Sequence, residues 1–276
     1  MDAVQDAGVA YKNAGRMEEK LKKPDVAASF YHEAALCFQK DDPQEAASCY
    51  LAAINLYCQI RRFSTAARLE TKVAELMEKD RQIAHYMRAA CFYAANTCCD
   101  KAADRCRLKA ARSLGLSGRY LEAADIFEEV GHRMMSDELL KFNSPETLLR
   151  ALLCLVCASG IPQAARVPHK KDEPASPPPR PRPTPKSIKS KLSLLGKASP
   201  MFKGSRECAF GSDVARAAKE GDMELFATSV YAYDNVGCLD SWCLRLLKII
   251  SGHVEELSIR LAKMRAMQAS PEYCLP

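Results

Sequence analysis

The sequence predicts an all-α protein: a tetratricopeptide-like α-solenoid, a small C-terminal helical bundle, and between them a disordered Pro-rich insertion. Three observations carry this prediction. Glycine is sparse, with 12 in 276 residues, and alanine is abundant, which favours helix over sheet. Alanine pairs recur about every twenty residues, and Pro24 and Pro43 stand where a helix would begin. Nine of the 15 prolines fall between residues 168 and 200.

The alanine pairs mark one face of each predicted helix. A second small cluster follows several pairs about two helical turns later, so both clusters lie on one face and let neighbouring helices approach closely. Ile83-Ala84 takes the place of a pair between the third and the fourth. Helices of about 15 residues, paired every 40 or so, are typical of tetratricopeptide-like solenoids. A nonrepeating helical bundle is the alternative. The pairs are Ala27-Ala28, Ala46-Ala47, Ala66-Ala67, Ala102-Ala103 and Ala123-Ala124.

Composition divides the chain into four segments. Residues 1–164 carry the repeat. Residues 165–204 form the proline-rich, basic insertion, which we expect to be disordered because it offers too little apolar area to offset the entropy of ordering. Residues 205–257 return to a helical pattern, anchored by the single tryptophan, Trp242. Residues 258–276 form a tail that begins with helix formers and ends with breakers.

The insertion holds the excess of positive charge. The net charge of the chain is +6, and ten basic residues oppose two acidic ones between Arg166 and Lys203, so the remainder is weakly acidic. PxxP spacings suit a partner with a polyproline-binding groove. Ile188, Leu192 and Leu195, set among lysines, suit contact with an acidic membrane surface. A solvated insertion with neither role is the simplest interpretation.

The patterns that mark catalytic, metal and phosphate sites do not occur. The glycine-containing stretch GSDVARAAKEGD lacks the spacing of a phosphate-binding loop. The five histidines are scattered, and Cys154 and Cys157 have no second cysteine pair nearby. We therefore expect no enzyme, no cofactor, no metal site and no nucleic-acid partner. The cysteines at apolar helical positions indicate buried thiols in a reducing cytoplasm, and the longest apolar run, residues 151–161, is too short to span a bilayer.

Several segments, in order across residues 25–257, resemble one family, the soluble NSF attachment proteins of alpha/beta type. The YDNVGCLDSW block together with DPQEA is the most specific part of this resemblance, and the insertion is excluded from it. The chain begins near the third helix of those proteins and diverges at its C-terminal end. The matching blocks are KDDPQEAASCYLAAINLY, RRFSTAARLETKVAELME, QIAHYMRAACFY, YLEAADIFEEVG, MSDELLKFNSPETLLRALLCLVC, SREC and YDNVGCLDSW.

The resemblance implies an adaptor for vesicle fusion and intracellular protein transport, including ER–Golgi transport. Such proteins coat the four-helix SNARE bundle with a basic concave face and recruit the ATPase N-ethylmaleimide-sensitive factor (NSF), which disassembles the bundle. They are cytoplasmic and associate peripherally with endomembranes. Attraction between the basic face and an acidic bundle should be sensitive to salt. The positions that match the SNARE-binding residues of the family are Lys40, Arg62, Arg68, Arg105 and Lys109.

The chain departs from the family at both proposed contact surfaces. Pro145 stands where the family has a further SNARE-facing lysine. The family recruits the ATPase through an acidic C-terminal surface and a near-terminal leucine, whereas nineteen residues follow Leu257 here. Arg216 and Lys219 replace acidic residues. Two alternatives therefore stand: a helical-repeat scaffold for other partners, and a SNARE-binding decoy without productive ATPase stimulation. The matching ATPase-contact residues are Glu220, Glu224, Glu255, Glu256 and Leu257.

Overall fold

The computed structural model describes residues 2–95, 99–160, 183–237 and 239–269. Over these residues the secondary structure is helical, without a strand, so the predicted all-α class is confirmed. The chain divides into two compact units, Met1–Ser117 and Gly118–Pro276. This division falls inside the span that the sequence pattern assigns to the solenoid.

Unit 1 is a series of antiparallel helices in which each packs against the next one along the chain. The five helices after the first have 14 to 17 residues, close to the length expected from the alanine period. Connections of a few residues place consecutive helices side by side. The helices are α1 (Asp2–Lys20), α2 (Pro24–Phe38), α3 (Pro43–Gln59), α4 (Phe63–Leu76), α5 (Lys79–Ala94) and α6 (Asp100–Leu116).

Proline and capping side chains fix where α2 and α3 begin. Pro24 and Pro43 each occupy the first turn, where the missing N–H removes no helical hydrogen bond. The Asp42 carboxylate caps α3 by accepting hydrogen bonds from the backbone N–H groups of Gln44 and Glu45, at 3.1 and 3.0 Å. Both helix starts predicted from the sequence are confirmed.

The alanine pairs form the contacts between helices, as expected. Both members of the first three pairs, and of the last pair, are at most 2% exposed. The assignment of Ile83-Ala84 as a substitute pair is wrong in part. Ile83 is buried, but Ala84 faces solvent, because the next residue of a helix points about 100° away. Ala89 and Ala90 form the close contact of α5 instead, and both are buried.

A buried carboxylate joins α4 to α5. The Glu70 side chain is fully buried, and its Oε2 lies 2.7 Å from Nδ1 of His85. Its Oε1 lies 2.7 Å from a guanidinium nitrogen of Arg88, in an ion pair that lacks the alignment of a hydrogen bond. Burial of a carboxylate is costly unless it is paired, so these two partners hold α5 in one position against α4.

Unit 2 is built around the apolar helix α8, whose neighbours are α7, α9, α11 and α13. Trp242 of α13 is 3% exposed, and its ring meets Phe127 of α7 edge-on at 5.3 Å, as expected for an anchor of this region. The helices are α7 (Tyr120–Met135), α8 (Ser144–Gly160), α9 (Pro185–Ala198), α10 (Pro200–Lys203), α11 (Arg206–Glu220), α12 (Met223–Asp234) and α13 (Ser241–Ala269), with a 3-10 turn at Lys141–Asn143.

The second part of the predicted insertion is helical, so the expectation of disorder is wrong there. Thr184 caps α9 by accepting a hydrogen bond from the N–H of Ser187, and α10 follows directly. Ile188, Leu195 and Phe202 are 5%, 2% and 0% exposed. Leu195 and Phe202 form one apolar cluster with Leu148 of α8, and Leu192 packs against it. These residues supply apolar burial that a proline and lysine count does not reveal, and because they are buried in unit 2 they do not present the membrane contact that the sequence suggests. The remainder of the predicted insertion, residues 165–182, lies outside the described residues.

Candidate partner-binding surfaces

Basic side chains form parallel rows on α4 and α6. On α4, Arg68, Lys72 and Glu75 are spaced by four and three residues, so they share one helical face. On α6 the same spacing aligns four cations along one face. All of the lysines and Arg68 and Arg105 are exposed, and Arg112 is half-buried. We call these residues the α4–α6 face. Its cations are Arg68, Lys72, Lys101, Arg105, Lys109 and Arg112.

A direct ion pair shows that the two rows lie side by side. Nζ of Lys109 donates a hydrogen bond to Oε1 of Glu75 at 3.1 Å, and Nζ of Lys72 lies 3.5 Å from Oε2 of the same carboxylate. The Lys109 ammonium also lies 5.5 Å from the centre of the Tyr86 ring. Glu75 therefore lies between cations of both helices, Lys72 of α4 and Lys109 of α6.

Arg68 and Arg105 both act electrostatically on the half-buried phenol of Tyr93. Burial raises the pKa of Tyr93, and both arginines oppose that rise, so both lie within electrostatic reach of its hydroxyl. Burial likewise raises the pKa of Cys106, against the effect of Lys109 and Arg105. Three of the five predicted SNARE-binding residues, Arg68, Arg105 and Lys109, are thus close together on the α4–α6 face.

Helix α2 approaches this face through His32. Burial lowers the pKa of His32, and Arg68 lowers it further, so the α2 imidazole is close to the α4 guanidinium. Glu33, the next residue of α2, is exposed and opposes that effect. His32 of α2 therefore lies within electrostatic reach of the α4–α6 face.

The remaining two predicted SNARE-binding residues lie apart from this group. Arg62 precedes α4 and forms an ion pair with Asp25, at the start of α2, at 2.7 Å. Lys40 is exposed in the turn after α2. The length of α2, about 20 Å at 1.5 Å per residue, separates these two cations. Lys72, Lys101 and Arg112, which the sequence interpretation does not include, follow the helical spacing of Arg68 and Arg105.

A glycine sets the acidic residues of unit 2 close to α13. Gly221 follows α11 with φ of 69°, the left-handed conformation that favours glycine. A β-carbon at this position would lie 3.0 Å from the backbone nitrogen of Ser258, so the turn between α11 and α12 packs directly on the backbone of α13. Glu220 and Glu224, both exposed, flank this turn and are thereby brought near Leu257.

The other predicted ATPase-contact residues sit within a continuous helix. Leu257 is half-buried, and α13 continues past it to Ala269. Glu255 is exposed, whereas Glu256 pairs with Arg260 at 3.1 Å and lines a cavity of about 150 Å³ between α8 and α13. The tail predicted to start at residue 258 thus begins as helix.

Position 145, where the resemblance predicts a lysine, is not suited to a charged side chain here. Pro145 occupies the first turn of α8 and is buried, a position that suits proline and not an exposed charge.

The buried cysteines are free thiols, and burial raises the pKa of Cys154 and Cys157, which keeps them protonated and unreactive.

Two common functional features are missing from the part of the chain that the structure describes. No three histidine, cysteine or acidic side chains come together there as a group able to hold a metal ion. None of the helices there is both long and apolar enough to cross a bilayer.

Comparison with known proteins decides the family. The family model described as "Soluble NSF attachment protein, SNAP" matches residues 1–173 and 184–255. This chain belongs to the SNAP family. The match includes α9 and α10, in agreement with their helical structure, and omits only residues 174–183 of the predicted insertion.

Named relatives cover most of the chain. Human alpha-soluble NSF attachment protein is 30% identical over 260 residues, which are 91% of this chain and 79% of the human protein. Bovine beta-soluble NSF attachment protein is 28% identical, over 90% and 78% of the two chains. A soluble NSF attachment protein homologue of fowlpox virus is 29% identical, over 88% and 81%. These names refer to attachment and not to an enzymatic reaction, and this SNAP-family chain is an adaptor-type protein of vesicle transport, not an enzyme.

The most specific blocks of the SNAP resemblance meet in unit 2. The guanidinium of Arg206, from SREC, lies 5.1 Å from the ring centre of Tyr233, from YDNVGCLDSW. The Tyr233 ring stacks on Phe210 at 4.4 Å, and its hydroxyl donates to Glu207 at 3.2 Å. Gly237 leaves room for the guanidinium, since a β-carbon there would clash with it. The two blocks therefore form one structural contact between α11 and α12.

Proposed function

We propose that this SNAP-family chain binds assembled SNARE complexes through the α4–α6 face and recruits the NSF ATPase to disassemble them. The observation that carries the proposal is the grouping of exposed cations from two neighbouring helices on that face, Arg68 and Lys72 of α4 with Arg105 and Lys109 of α6. A SNARE bundle is an acidic four-helix rod, and a row of cations on rigid helices suits such a partner. The site of action is the cytoplasmic surface of endomembranes, with peripheral association.

Binding through this face should depend on several weak contacts acting together. One exposed ion pair contributes about 0–1 kcal/mol, so no single cation of the face suffices. A group of charges held in register raises the association rate and selects the orientation of the partner. Exposed charges are screened beyond about 10 Å at 0.1 M salt, so the affinity should fall steeply as salt is added. Arg62 and Lys40, at the two ends of α2, would extend the contact along the rod.

Recruitment of the ATPase is assigned to the acidic residues beside Leu257. Glu220 and Glu224 flank the turn that packs on α13, and Glu255 is exposed on α13 itself. Carboxylates on this side of unit 2 suit a basic surface of NSF. Glu256 contributes less, because Arg260 already neutralises it.

A second candidate is a SNARE-binding decoy that does not support disassembly. One specific observation favours it: α13 continues beyond Leu257, and Arg260 and Lys263 are exposed on that continuation. The exposed Lys263 opposes a basic partner, and α13 continues past Leu257, whereas the resemblance implies a leucine near the end of the chain. A scaffold for unrelated partners is the third possibility, and it predicts no SNARE binding.

The test combines capture and disassembly with the full chain. Immobilised SNARE bundle is incubated with the protein at low and at high salt, and NSF with ATP is then added. Salt-sensitive capture followed by release of separated SNARE proteins supports the adaptor. Capture without release supports the decoy, and absence of capture at low salt rejects both.

A shortened chain then distinguishes the reason for a failed release. A chain ending at Ile259 keeps the contact between Gly221 and Ser258 but loses Arg260 and Lys263. If this variant captures SNARE bundle as before but releases more of it, the continuation of α13 is what blocks disassembly. Equal release by both chains rejects that explanation.

A further inference from the structure

The burial of α9 fixes which of its sides faces solvent. Ile188, Leu195 and Phe202 point into unit 2, so the opposite side of α9 and α10 is exposed. That side, which we call the α9–α10 outer face, is not the one that the sequence offered to a membrane. It also lies outside unit 1 and the proposed SNARE-binding residues. Its exposed residues are Ser187, Lys189, Ser190, Ser193, Leu194, Lys197, Ala198, Met201 and Lys203.

The α9–α10 outer face is cationic and has no acidic residue. No Asp or Glu occurs between Glu173 and Glu207 in the sequence. Lys191 turns away and pairs with Glu128 of α7 at 2.7 Å. Lys189, Lys197 and Lys203 are exposed and make no ion pair within the described residues. Their charge is therefore available to a partner outside the protein.

Two large apolar side chains stand among these lysines. Leu194 is 59% exposed and Met201 is 42% exposed. Leu194 lies one helical turn before Lys197, and Met201 lies two residues before Lys203. An apolar residue surrounded by lysines suits the boundary between lipid headgroups and acyl chains, where each side chain finds its preferred surroundings.

The choice of cation favours a lipid surface over a protein partner. All exposed cations of this face are lysines, with no arginine and no exposed aromatic ring among them. Protein interfaces are enriched in arginine and aromatic residues and depleted of lysine. Attraction to anionic lipids, in contrast, requires only charge near the surface, about 1 kcal/mol for each lysine. We propose that the α9–α10 outer face binds the surface of membranes that contain anionic lipids. This inference is independent of the proposed SNARE and NSF contacts.

The main test measures binding of the full chain to sedimented vesicles of phosphatidylcholine with and without phosphatidylserine. We expect binding only to the vesicles with phosphatidylserine, and at least tenfold weaker binding for Lys189→Glu combined with Lys197→Glu, since about 2 kcal/mol of attraction is removed. The matched control is Lys219→Glu combined with Lys248→Glu, exposed positions elsewhere in unit 2 with the same change in net charge. It should bind within about twofold of the unchanged chain.

A second measurement reports whether the face itself touches lipid. The single native tryptophan, Trp242, is buried, so a Leu194→Trp variant adds one exposed reporter. Vesicles with phosphatidylserine should shift the emission of this reporter to shorter wavelength and leave that of Trp242 unchanged. Far-ultraviolet circular dichroism of every variant confirms that the fold is retained.

Four outcomes would overturn the proposal. These are no binding of the unchanged chain to acidic vesicles, an equal loss in the control pair, and an unshifted reporter in bound protein. The fourth is a loss of SNARE capture by Lys189→Glu with Lys197→Glu at unchanged vesicle binding, which would assign the face to an acidic protein.

Discussion

Glu75 of α4 and Lys109 of α6 are joined by a hydrogen bond of 3.1 Å between the carboxylate and the ammonium group. This contact brings α6 beside α4 on the exposed surface of unit 1. It also neutralises one of the cations that the proposed function assigns to SNARE binding. The pair is about half exposed on each side, so its contribution to stability is small and its effect on surface charge is the larger one.

Replacing Glu75 should strengthen binding to an acidic helical bundle. Glu75→Gln removes the carboxylate that pairs with Lys72 and Lys109 and releases both ammonium groups, which should raise the affinity about two- to fivefold at low salt. Titration of the bundle by fluorescence anisotropy measures this change. Glu45→Gln is the matched control, because Glu45 pairs with Lys12 between α1 and α3, away from the face. An equal gain in both variants would indicate an effect of net charge alone.

Replacing Glu70 should destabilise unit 1. Glu70→Gln leaves His85 and Arg88 without the carboxylate that pairs with them, and we expect a loss of about 2–4 kcal/mol in the free energy of unfolding, less than for a fully buried triad. Urea denaturation followed by circular dichroism measures it. Glu33→Gln, at an exposed position of α2, should stay within about 0.5 kcal/mol. A loss at Glu70 no larger than at Glu33 would show that the buried carboxylate does not hold α5 in place.

Two glycines of unit 2 should respond in opposite directions to alanine. Gly221→Ala adds a side chain at positive φ and 3.0 Å from the backbone of α13, which should cost about 1–3 kcal/mol. Gly252→Ala places the same atom in open space within α13 and should stabilise the helix by about 0.5–1 kcal/mol. Thermal unfolding distinguishes the two. Similar shifts of the same sign would contradict the packing of the Gly221 turn on α13.

Unit 2 should lose stability in alkaline solution. Burial, with Glu207, raises the pKa of Tyr233 to about 12, and burial raises that of Tyr120 to about 12. Because an unfolded tyrosine releases its proton near pH 10, the stabilisation is complete below pH 10 and is lost as the pH rises to about 12. Tyr233→Phe should reduce this loss, measured by urea denaturation across the range. Tyr231→Phe, at an exposed position of the same helix, should leave the loss unchanged. If the free energy of unfolding falls equally steeply with pH in the unchanged chain and in both variants, the raised pKa of Tyr233 does not cause the loss.

The sequence predicts the helices of unit 1 well because each depends on local features. Pro24 and Pro43 mark helix starts by their own covalent geometry, and the alanine pairs mark the close contacts. Ala84 is wrongly expected in a helix contact, because identifying neighbouring small residues ignores the direction in which each side chain points. The acidic residues beside Leu257 depend on the conformation of Gly221, which no spacing along the chain reveals.

The prediction of disorder for the α9 region is wrong for a different reason. Counting residue types along this segment gives mainly proline and lysine, which suggests disorder. However, Ile188 and Leu195 are seven residues apart, the interval of two helical turns. These few apolar residues make the segment fold as a helix, because Leu195 packs with Leu148 of α8 in one buried cluster. Contacts between distant segments, such as Arg206 with Tyr233, are likewise outside the reach of a single sequence.

The central claim is tested most directly by SNARE capture with Arg68→Glu combined with Arg105→Glu. Both arginines are exposed on the α4–α6 face and lie within electrostatic reach of Tyr93. Reversing both should weaken binding of the assembled SNARE bundle at low salt by tenfold or more, since about 1.5–3 kcal/mol of attraction is removed. Lys20→Glu combined with Arg81→Glu, exposed positions elsewhere in unit 1, should bind within about twofold of the unchanged chain. Unchanged binding in the Arg68 and Arg105 double variant, or an equal loss in the control, would contradict the assignment of the α4–α6 face.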